Sequence, residues 1–367
     1  MSEFILREAT EADYPDLLHV WEHVYGNGHA DEPLTPPEST QTFFLGRVDG
    51  KPAFGTKIHD FPTVLRGEIL SCAGMGAVGT LGEYRGQGVG QQGMEAMLRE
   101  AFDRGHSLTN LYAVREWFYR KSGYATCGWR WNITVPVHLM PKLKAELPIR
   151  QIKATELEQL HDCYESFIQG KAGAVKRNDT HWMNRMGMVA PVIYAVGDPA
   201  EGYFWCNPEG FYNTLELGEF IWSTQRGYRS LLAHAKAMAI NKSDVSWQEP
   251  DGSPLINFYF DKDIKLELKR NTMYRIVNVE ATLAKLGLLD CGLKFDVSDP
   301  IITDNNGVFG RGDQVIKCDV SDLTLAVMGQ PDIKTLVDAG RIAGSDQALA
   351  SLEILLPKQV VYCTESF

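Results

Sequence analysis

Six consecutive residues, Arg85-Gly86-Gln87-Gly88-Val89-Gly90, bring three glycines and an arginine to the start of a stretch with helical periodicity. Without a Cβ at three positions the main chain can turn tightly, and successive N–H groups can converge on one anion. A helix read from Gln91 to Gly105, with Met94, Met97, Leu98 and Phe102 at the spacing of a face packed on a sheet, aims the positive end of its dipole at the same point. Such a loop can cradle a diphosphate, although the same glycines also serve an ordinary turn. The spacing is neither the G-x-G-x-x-G of a dinucleotide fold nor a P-loop, since no Lys-Ser/Thr follows.

A second stretch with chemical potential is Phe118-Tyr119-Arg120-Lys121-Ser122-Gly123-Tyr124. A phenol can hydrogen-bond to a departing anion, yet Tyr119 read alone fits a core tyrosine with a satisfied hydroxyl better. Glycines 74, 76 and 79 interrupt the strand read from Ile69 to Leu81. Glycine inside a strand marks a bulge or a close approach to the backbone.

The elements that must position these groups follow from periodicity. Phe4 to Ala9 reads as a strand, and Thr10 with Asp13 opens a helix whose apolar residues run from Tyr14 to Tyr25. Gly26 to Pro37 is aperiodic and carries Asp31 and Glu32, two carboxylates suited either to a substrate wall or to a solvated linker. Thr42 to Val48 and Phe54 to Ile58 flank the turn Asp49-Gly50 as a hairpin, Leu108 to Val114 is a strand, Glu116 to Ser122 a short helix, and Trp129 to Val137 closes the sheet. After a linker at Pro141 to Glu146 the order repeats. Strands read at Ile149 to Ile152, Val192 to Val196, Gly202 to Cys206 and Glu216 to Trp222, with helices from Thr155 to Ile168 and Tyr228 to Ala239. At the position of the glycine cradle this second pass has Ser223-Thr224-Gln225-Arg226-Gly227-Tyr228-Arg229, which lacks the second and third glycines. From about Tyr274 a smaller α+β module follows, with strands at Gly292 to Val297, Gly307 to Phe309 and Gln314 to Cys318 and helices at Ile333 to Ala339 and Ser345 to Leu355.

The chain has 367 residues, 44% of them hydrophobic, which suits two or three domains with real cores. Its net charge of −11 speaks against a nucleic-acid binder and suits a cationic partner. Seven cysteines, scattered and never in a C-x-x-C pair, read as reduced thiols of a cytoplasmic protein, and no apolar run reaches the length of a membrane helix. No histidine pair supports a metal site; His19 and His23 fit a helix surface.

The first stretch resembles the [Gln/Arg]-x-x-Gly-x-[Gly/Ala] loop of the GNAT acetyltransferases, which holds the pyrophosphate of acetyl-CoA; Arg85, Gly88 and Gly90 fill its defined positions. The second resembles the "FYxxxGY" segment that follows the fifth strand of the same fold. Over its whole length the chain is similar to the Eis (enhanced intracellular survival) acetyltransferases. That resemblance implies an α+β protein of tandem GNAT folds, with mixed, mostly antiparallel sheets flanked by helices. Its parts would be a catalytic GNAT domain at 1–139, a degenerate GNAT domain at 140–273 and a sterol carrier protein-like domain at 274–367 whose C-terminus reaches the active site.

The resemblance further implies that Tyr119 is the catalytic acid and that the terminal carboxylate of Phe367 is the base. Arg85, Gly86, Gln87, Gly88, Val89, Gly90 and Gln91 would bind the pyrophosphate of acetyl-CoA. Val78, Gly79 and Thr80 would lie along the pantetheine, and Val114 with Arg115 at the thioester. Asp31, Glu32 and Glu365 are candidates for holding the substrate. The expected reaction is acetyl transfer to primary amines of a cationic molecule (aminoglycoside-like, a polyamine or lysine), without metal or nucleic acid, by a cytoplasmic homo-oligomer, a hexamer in the family. A CoA-binding sensor without catalysis and a lipid-binding protein are the rival readings.

Overall fold

The computed structural model describes residues 3–26, 40–187, 192–207, 212–259 and 261–365. The chain forms two compact units, one from Met1–Cys127 with Asn271–Gln359, the other from Gly128–Arg270 with the tail that begins at Val360.

In the first unit, β1 (Phe4–Glu8), β2 (Gln41–Val48), β3 (Lys51–Asp60), β4 (Cys72–Thr80) and β5 (Leu108–Tyr112) form a sheet in sequence order. Neighbours are antiparallel except β4 and β5, which run parallel. Between those two lies α2 (Val89–Asp103), the crossover that a parallel pair requires. Its Met94, Met97, Leu98 and Ala101 are buried on Phe44, Phe54, Ile58 and Met75 of the sheet. The opposite face is covered by α1 (Tyr14–Tyr25), whose Leu17, Val20 and Trp21 pack with Phe43 and Leu45. A short helix, α3 (Glu116–Arg120), follows β5.

Several boundaries differ from those read in the sequence. The strand expected over Ile69 to Leu81 is two. Glu68–Leu70 closes a small hairpin with Thr63–Leu65 around Arg66-Gly67, both at positive φ, and β4 begins at Cys72. A strand that the sequence reading missed, Lys265–Ile276, runs across the expected boundary at 273/274; its Thr272–Ile276 portion pairs antiparallel with β5. The apolar helix Val320–Met328 was also missed, because it is buried around most of its circumference and shows little helical periodicity.

The segment expected as a third domain packs in one compact unit with residues 1–127. Two arginines explain why. Arg275, with no exposed side-chain surface, pairs with both Asp299 oxygens at 2.7 and 2.8 Å and donates to the Ser122 carbonyl at 2.7 Å. Arg66 donates to the carbonyls of Val327 and Ala326 at the C-terminal end of the Val320–Met328 helix, at 2.7 and 3.0 Å. Removing one partner of a buried pair strands the other charge. Asp299→Ala is accordingly expected to destabilise the unit by about 3–5 kcal/mol in denaturant unfolding, since the same carboxylate also accepts from the Ile301 and Ile302 N–H groups and from Asn305 Nδ2.

The second unit repeats the arrangement. Strand β6 (Leu215–Trp222), helix α4 (Gln225–Met238) and strand β7 (Asp244–Pro250) form its parallel crossover, with Gly202–Cys206, Val192–Val196 and Ile149–Ile152 antiparallel beyond β6. The helix expected over Thr155 to Ile168 is a 3-10 turn, Ala154–Leu160, followed by an α-helix, His161–Ile168, because Glu156 leaves helical geometry at φ −125°.

Candidate active site

The ladder between β4 and β5 holds only from Cys72↔Leu108 to Gly74↔Asn110; beyond it the two strands part. On its other edge β4 is bulged. Gly55 pairs with Gly79 and Lys57 with Gly76, so Thr56 alone faces Ala77 and Val78. Ala77 adopts φ +50°, a conformation that costs an L-residue roughly 1–2 kcal/mol. Side chains hold the bulge in place. Thr56 Oγ1 donates to the Gly76 carbonyl at 2.9 Å, Trp21 Nε1 to that of Ala77 at 2.8 Å and the Tyr25 hydroxyl to that of Val78 at 2.8 Å. The bulge that glycines 74, 76 and 79 foretold is present, and Trp21 and Tyr25 are supports that the sequence reading did not find.

Past β4 the chain turns through Gly82–Tyr84 and reaches α2 at Gly88, whose φ of +84° suits glycine. No side chain caps this helix and its first turn has no acidic residue. The N–H groups of Val89, Gly90 and Gln91 therefore lack intrahelical acceptors and remain available to an anion. Gly90 sits close to its neighbours, since a Cβ there would lie 3.1 Å from Thr80 Oγ1, which would have to give by a few tenths of an ångström, and 3.4 Å from the Phe118 ring. Arg85 Nε donates to the Thr80 carbonyl at 3.0 Å, which ties the loop to the end of β4. Gln91 turns away, its amide nitrogen donating to Glu95 at 2.9 Å and Ser122 Oγ at 3.1 Å.

This loop lines a cavity of about 400 Å³, within the range of small-molecule sites. Thr80, Arg85, Gly86, Gly88, Val89, Gly90 and Gln91 of the expected set border it. Tyr84, Trp117, Phe118 and Lys121 complete its wall and were not foreseen as contacts. The Trp117 indole is 61% exposed, with Lys121 Nζ 5.1 Å from its ring centre, an apolar plate beside a cation. Trp117 precedes the Phe118–Tyr124 stretch, and its exposure, visible only in the fold, is what marks it.

Tyr119, next to Phe118, is buried against Tyr124 and Phe118 at ring-centre distances of 6.1 and 5.0 Å. Burial, with a smaller contribution from Tyr25, pushes its phenol up to about 12. Among the described residues its hydroxyl makes no hydrogen bond to protein, whereas the Tyr124 hydroxyl is engaged by Thr109 at 2.9 Å. Tyr124 is the core tyrosine of the pair and Tyr119 the uncommitted one.

Val114 and Arg115 sit in the exposed turn between β5, which ends at Tyr112, and α3; they do not border the cavity. Asp31, Glu32 and Phe367 lie outside the described residues. Glu365 is described, and it is 5% exposed within the second unit, where Arg177 Nε donates to it at 2.7 Å. Among the described residues no group of three or more His, Cys, Asp or Glu is placed to hold a metal, and no helix is long and apolar enough to cross a membrane. All seven cysteines are free thiols.

Residues 6–127 match the family described as acetyltransferase (GNAT) domain, and residues 279–364 the sterol carrier protein domain. The chain carries a GNAT acetyltransferase domain. Its diverging strands, bulge and uncapped helix lie inside the matched GNAT segment. Whole-chain likeness extends to solved structures. A GCN5-related N-acetyltransferase from Anabaena variabilis superimposes with a TM-score of 0.87 at 19% identity, each chain covered completely. A protein from Enterococcus faecalis described as a probable N-acyltransferase gives 0.85 at 16%, and Eis1 from Mycobacterium abscessus 0.79 at 19%, again over both full chains. A search of curated proteins gives no match. The GNAT domain, the sterol carrier module and these likenesses together make the fold that of tandem GNAT proteins with a sterol carrier domain, α+β throughout.

The second unit lacks the GNAT cradle for a physical reason. The N-terminus of α4 is capped by Thr224, whose Oγ1 accepts from the Gly227 N–H at 3.0 Å and donates to Glu201 at 2.6 Å. Arg226 Nε also donates to Glu201, at 2.7 Å. A carboxylate of the chain itself thus stands at this helix end.

Proposed function

We propose that this protein is an acetyl-CoA-dependent N-acetyltransferase that acts on primary amines of a cationic substrate. N-acetyl transfer is the activity that the matched GNAT domain supports. The observation that carries the fuller reading is the α2 N-terminus, three unpaired N–H groups wide, opening on a 400 Å³ cavity with Tyr119 one residue from its wall. A diphosphate fits donors that no side chain of the loop satisfies. The pantetheine would follow β4 towards the bulge, where backbone polar groups freed by the parting of β4 and β5 can pair with it as a further strand would. A main-chain N–H near Val78 would then polarise the thioester carbonyl.

Tyr119 remains a neutral donor up to high pH, suited to hydrogen-bond the departing thiolate. Proton removal from the amine is assigned to the terminal carboxylate of Phe367, by resemblance to the Eis acetyltransferases. An α-carboxyl titrates near 3.5, so it serves best by holding the ammonium in place and accepting its proton as the carbon–nitrogen bond forms. Aminoglycosides, polyamines and lysine side chains are the substrate classes to be tried.

The test is thiol release from acetyl-CoA with such an amine panel, run beside a variant that lacks only Phe367. Turnover by the full chain and binding without turnover by the shortened one support the reading; acetyl-CoA binding with no amine accepted by the full chain leaves a CoA-binding sensor. A narrower expectation concerns the cavity wall. Trp117→Ala should weaken acetyl-CoA binding about tenfold by calorimetry, the loss typical of one base–aromatic stack.

A further inference from the structure

The second unit keeps the parting strands of its repeat without the cradle. Strands β6 and β7 are paired only at Leu215↔Val245 and Glu216↔Ser246. Into this unit comes the tail. Val360–Val361 runs parallel to Lys171–Ala172, the Tyr362 N–H donates to the Ala172 carbonyl at 2.9 Å, and Tyr362 and Cys363 are buried. The Tyr362 hydroxyl approaches the Gln248 carbonyl on β7 at 3.5 Å.

On β6, beyond the point where it leaves β7, stands Glu219. Arg177 joins this strand to the tail. Its guanidinium, with no exposed surface, donates to both oxygens of Glu219, to Glu365 Oε1 at 2.7 Å and to Thr364 Oγ1 at 3.1 Å. The rings of Tyr164 and Trp182 lie 4.2 and 4.7 Å from the guanidinium carbon, and Tyr203 and Arg185 each reach Glu219 at 3.0 Å. Two arginines and two glutamates balance in charge, and burial of such a cluster is tolerable only while every member keeps its partner. Although burial alone would raise it, the two arginines hold the Glu219 carboxyl well below the usual carboxylate range, so it stays ionised at neutral pH.

We infer that the second unit is a seat for the C-terminal tail, and that Arg177 and Glu365 are positioning residues that deliver the terminal carboxylate two residues further on. The inference rests on the assignment of the Phe367 carboxylate as base. It gives a repeat that has lost its cofactor cradle a function, and it moves Glu365 from substrate binding to anchoring.

The test compares the full chain with Glu365→Ala, Glu365→Gln and the variant lacking Phe367. Glu365→Ala leaves the Arg177–Glu219 pair intact, so the unit should fold; a glutamine can still accept from Arg177, so Glu365→Gln provides a conservative rescue. Three quantities are read: calorimetric acetyl-CoA affinity, kcat, and the rate at which a carboxypeptidase releases Phe367 from the native protein. The seat predicts unchanged acetyl-CoA affinity, release accelerated at least about tenfold in Glu365→Ala, and kcat lowered at least about tenfold, with Glu365→Gln between it and the full chain. Unchanged release in Glu365→Ala overturns the seat. Accelerated release with undiminished kcat overturns the positioning role while leaving the base assignment standing, provided the shortened variant is inactive. Full activity of the shortened variant removes the base assignment and the positioning role with it, whereas the release rate still reports whether the tail is seated.

Discussion

Replacing Tyr119 with phenylalanine is expected to lower kcat about a hundredfold and leave acetyl-CoA affinity unchanged. The size follows from the proton affinities. Burial brings the phenol to about 12, whereas an alkyl thiol titrates near 8.5, so full proton transfer to the thiolate would be uphill by roughly 5 kcal/mol. In the role proposed for it, the hydroxyl would donate a hydrogen bond to sulfur as negative charge builds there, a contribution at the lower end of what general acids supply. The backbone N–H groups along the bulge stay in place, and the residual rate would be theirs. A second consequence concerns pH. Because the folded phenol is shifted upward, its donor form persists through alkaline conditions, and no loss of rate traceable to Tyr119 should appear below about pH 10. Steady-state thiol release across pH, paired with calorimetry, checks both statements. A Tyr119→Phe enzyme within about threefold of the full rate would mean that solvent or the amine's own proton serves the leaving group.

The groups legible in the sequence were those whose geometry is local. Three glycines in six residues announce a turn and a helix start whatever surrounds them, and the structure places Gly88 at positive φ at the head of α2. The β4 bulge was foretold by glycines 74, 76 and 79 for the same reason. What escaped depended on partners distant in the chain. Lys265–Ile276 has the consecutive polar residues Lys269-Arg270-Asn271-Thr272 at its middle, and its Thr272–Ile276 end is held as a strand because β5 offers Leu108–Tyr112 as an edge. Glu365 looked like a free acid beside a C-terminus; only the fold brings Arg177 to it from 188 positions away. The ties across 273/274 were hidden likewise, because Arg275 reaches Asp299 and Ser122 and so joins the later segment to the first unit. Trp117 and Lys121 were passed over because they stand among motif residues that read as core, and only exposure distinguishes them.

Gly90→Asp should weaken acetyl-CoA binding at least about a hundredfold while the protein stays folded. Three effects act in one direction. The new Cβ meets Thr80 Oγ1 at 3.1 Å and the Phe118 ring at 3.4 Å, so the rim of the cavity must shift by a few tenths of an ångström. The carboxylate at the second helical position occupies the dipole's positive end and competes for the N–H groups that an incoming diphosphate needs. Its charge also repels that diphosphate at short range. Together these amount to about 3 kcal/mol, two factors of ten in affinity. The fold should survive because the second unit already carries a carboxylate at the corresponding helix, where Glu201 meets Thr224 and Arg226. An acidic group in the first turn is moreover favoured by the helix dipole, which offsets the tight contact, so the melting temperature should hold even as binding is lost. Gly90→Ala separates the contributions, adding the contact without the charge, and should lose about tenfold or less. Calorimetric titration and thermal unfolding of the three proteins decide the matter. If Gly90→Asp bound acetyl-CoA as tightly as the unaltered chain, the diphosphate would have to lie elsewhere than on α2, and the assignment of Arg85 to Gln91 would fall with it.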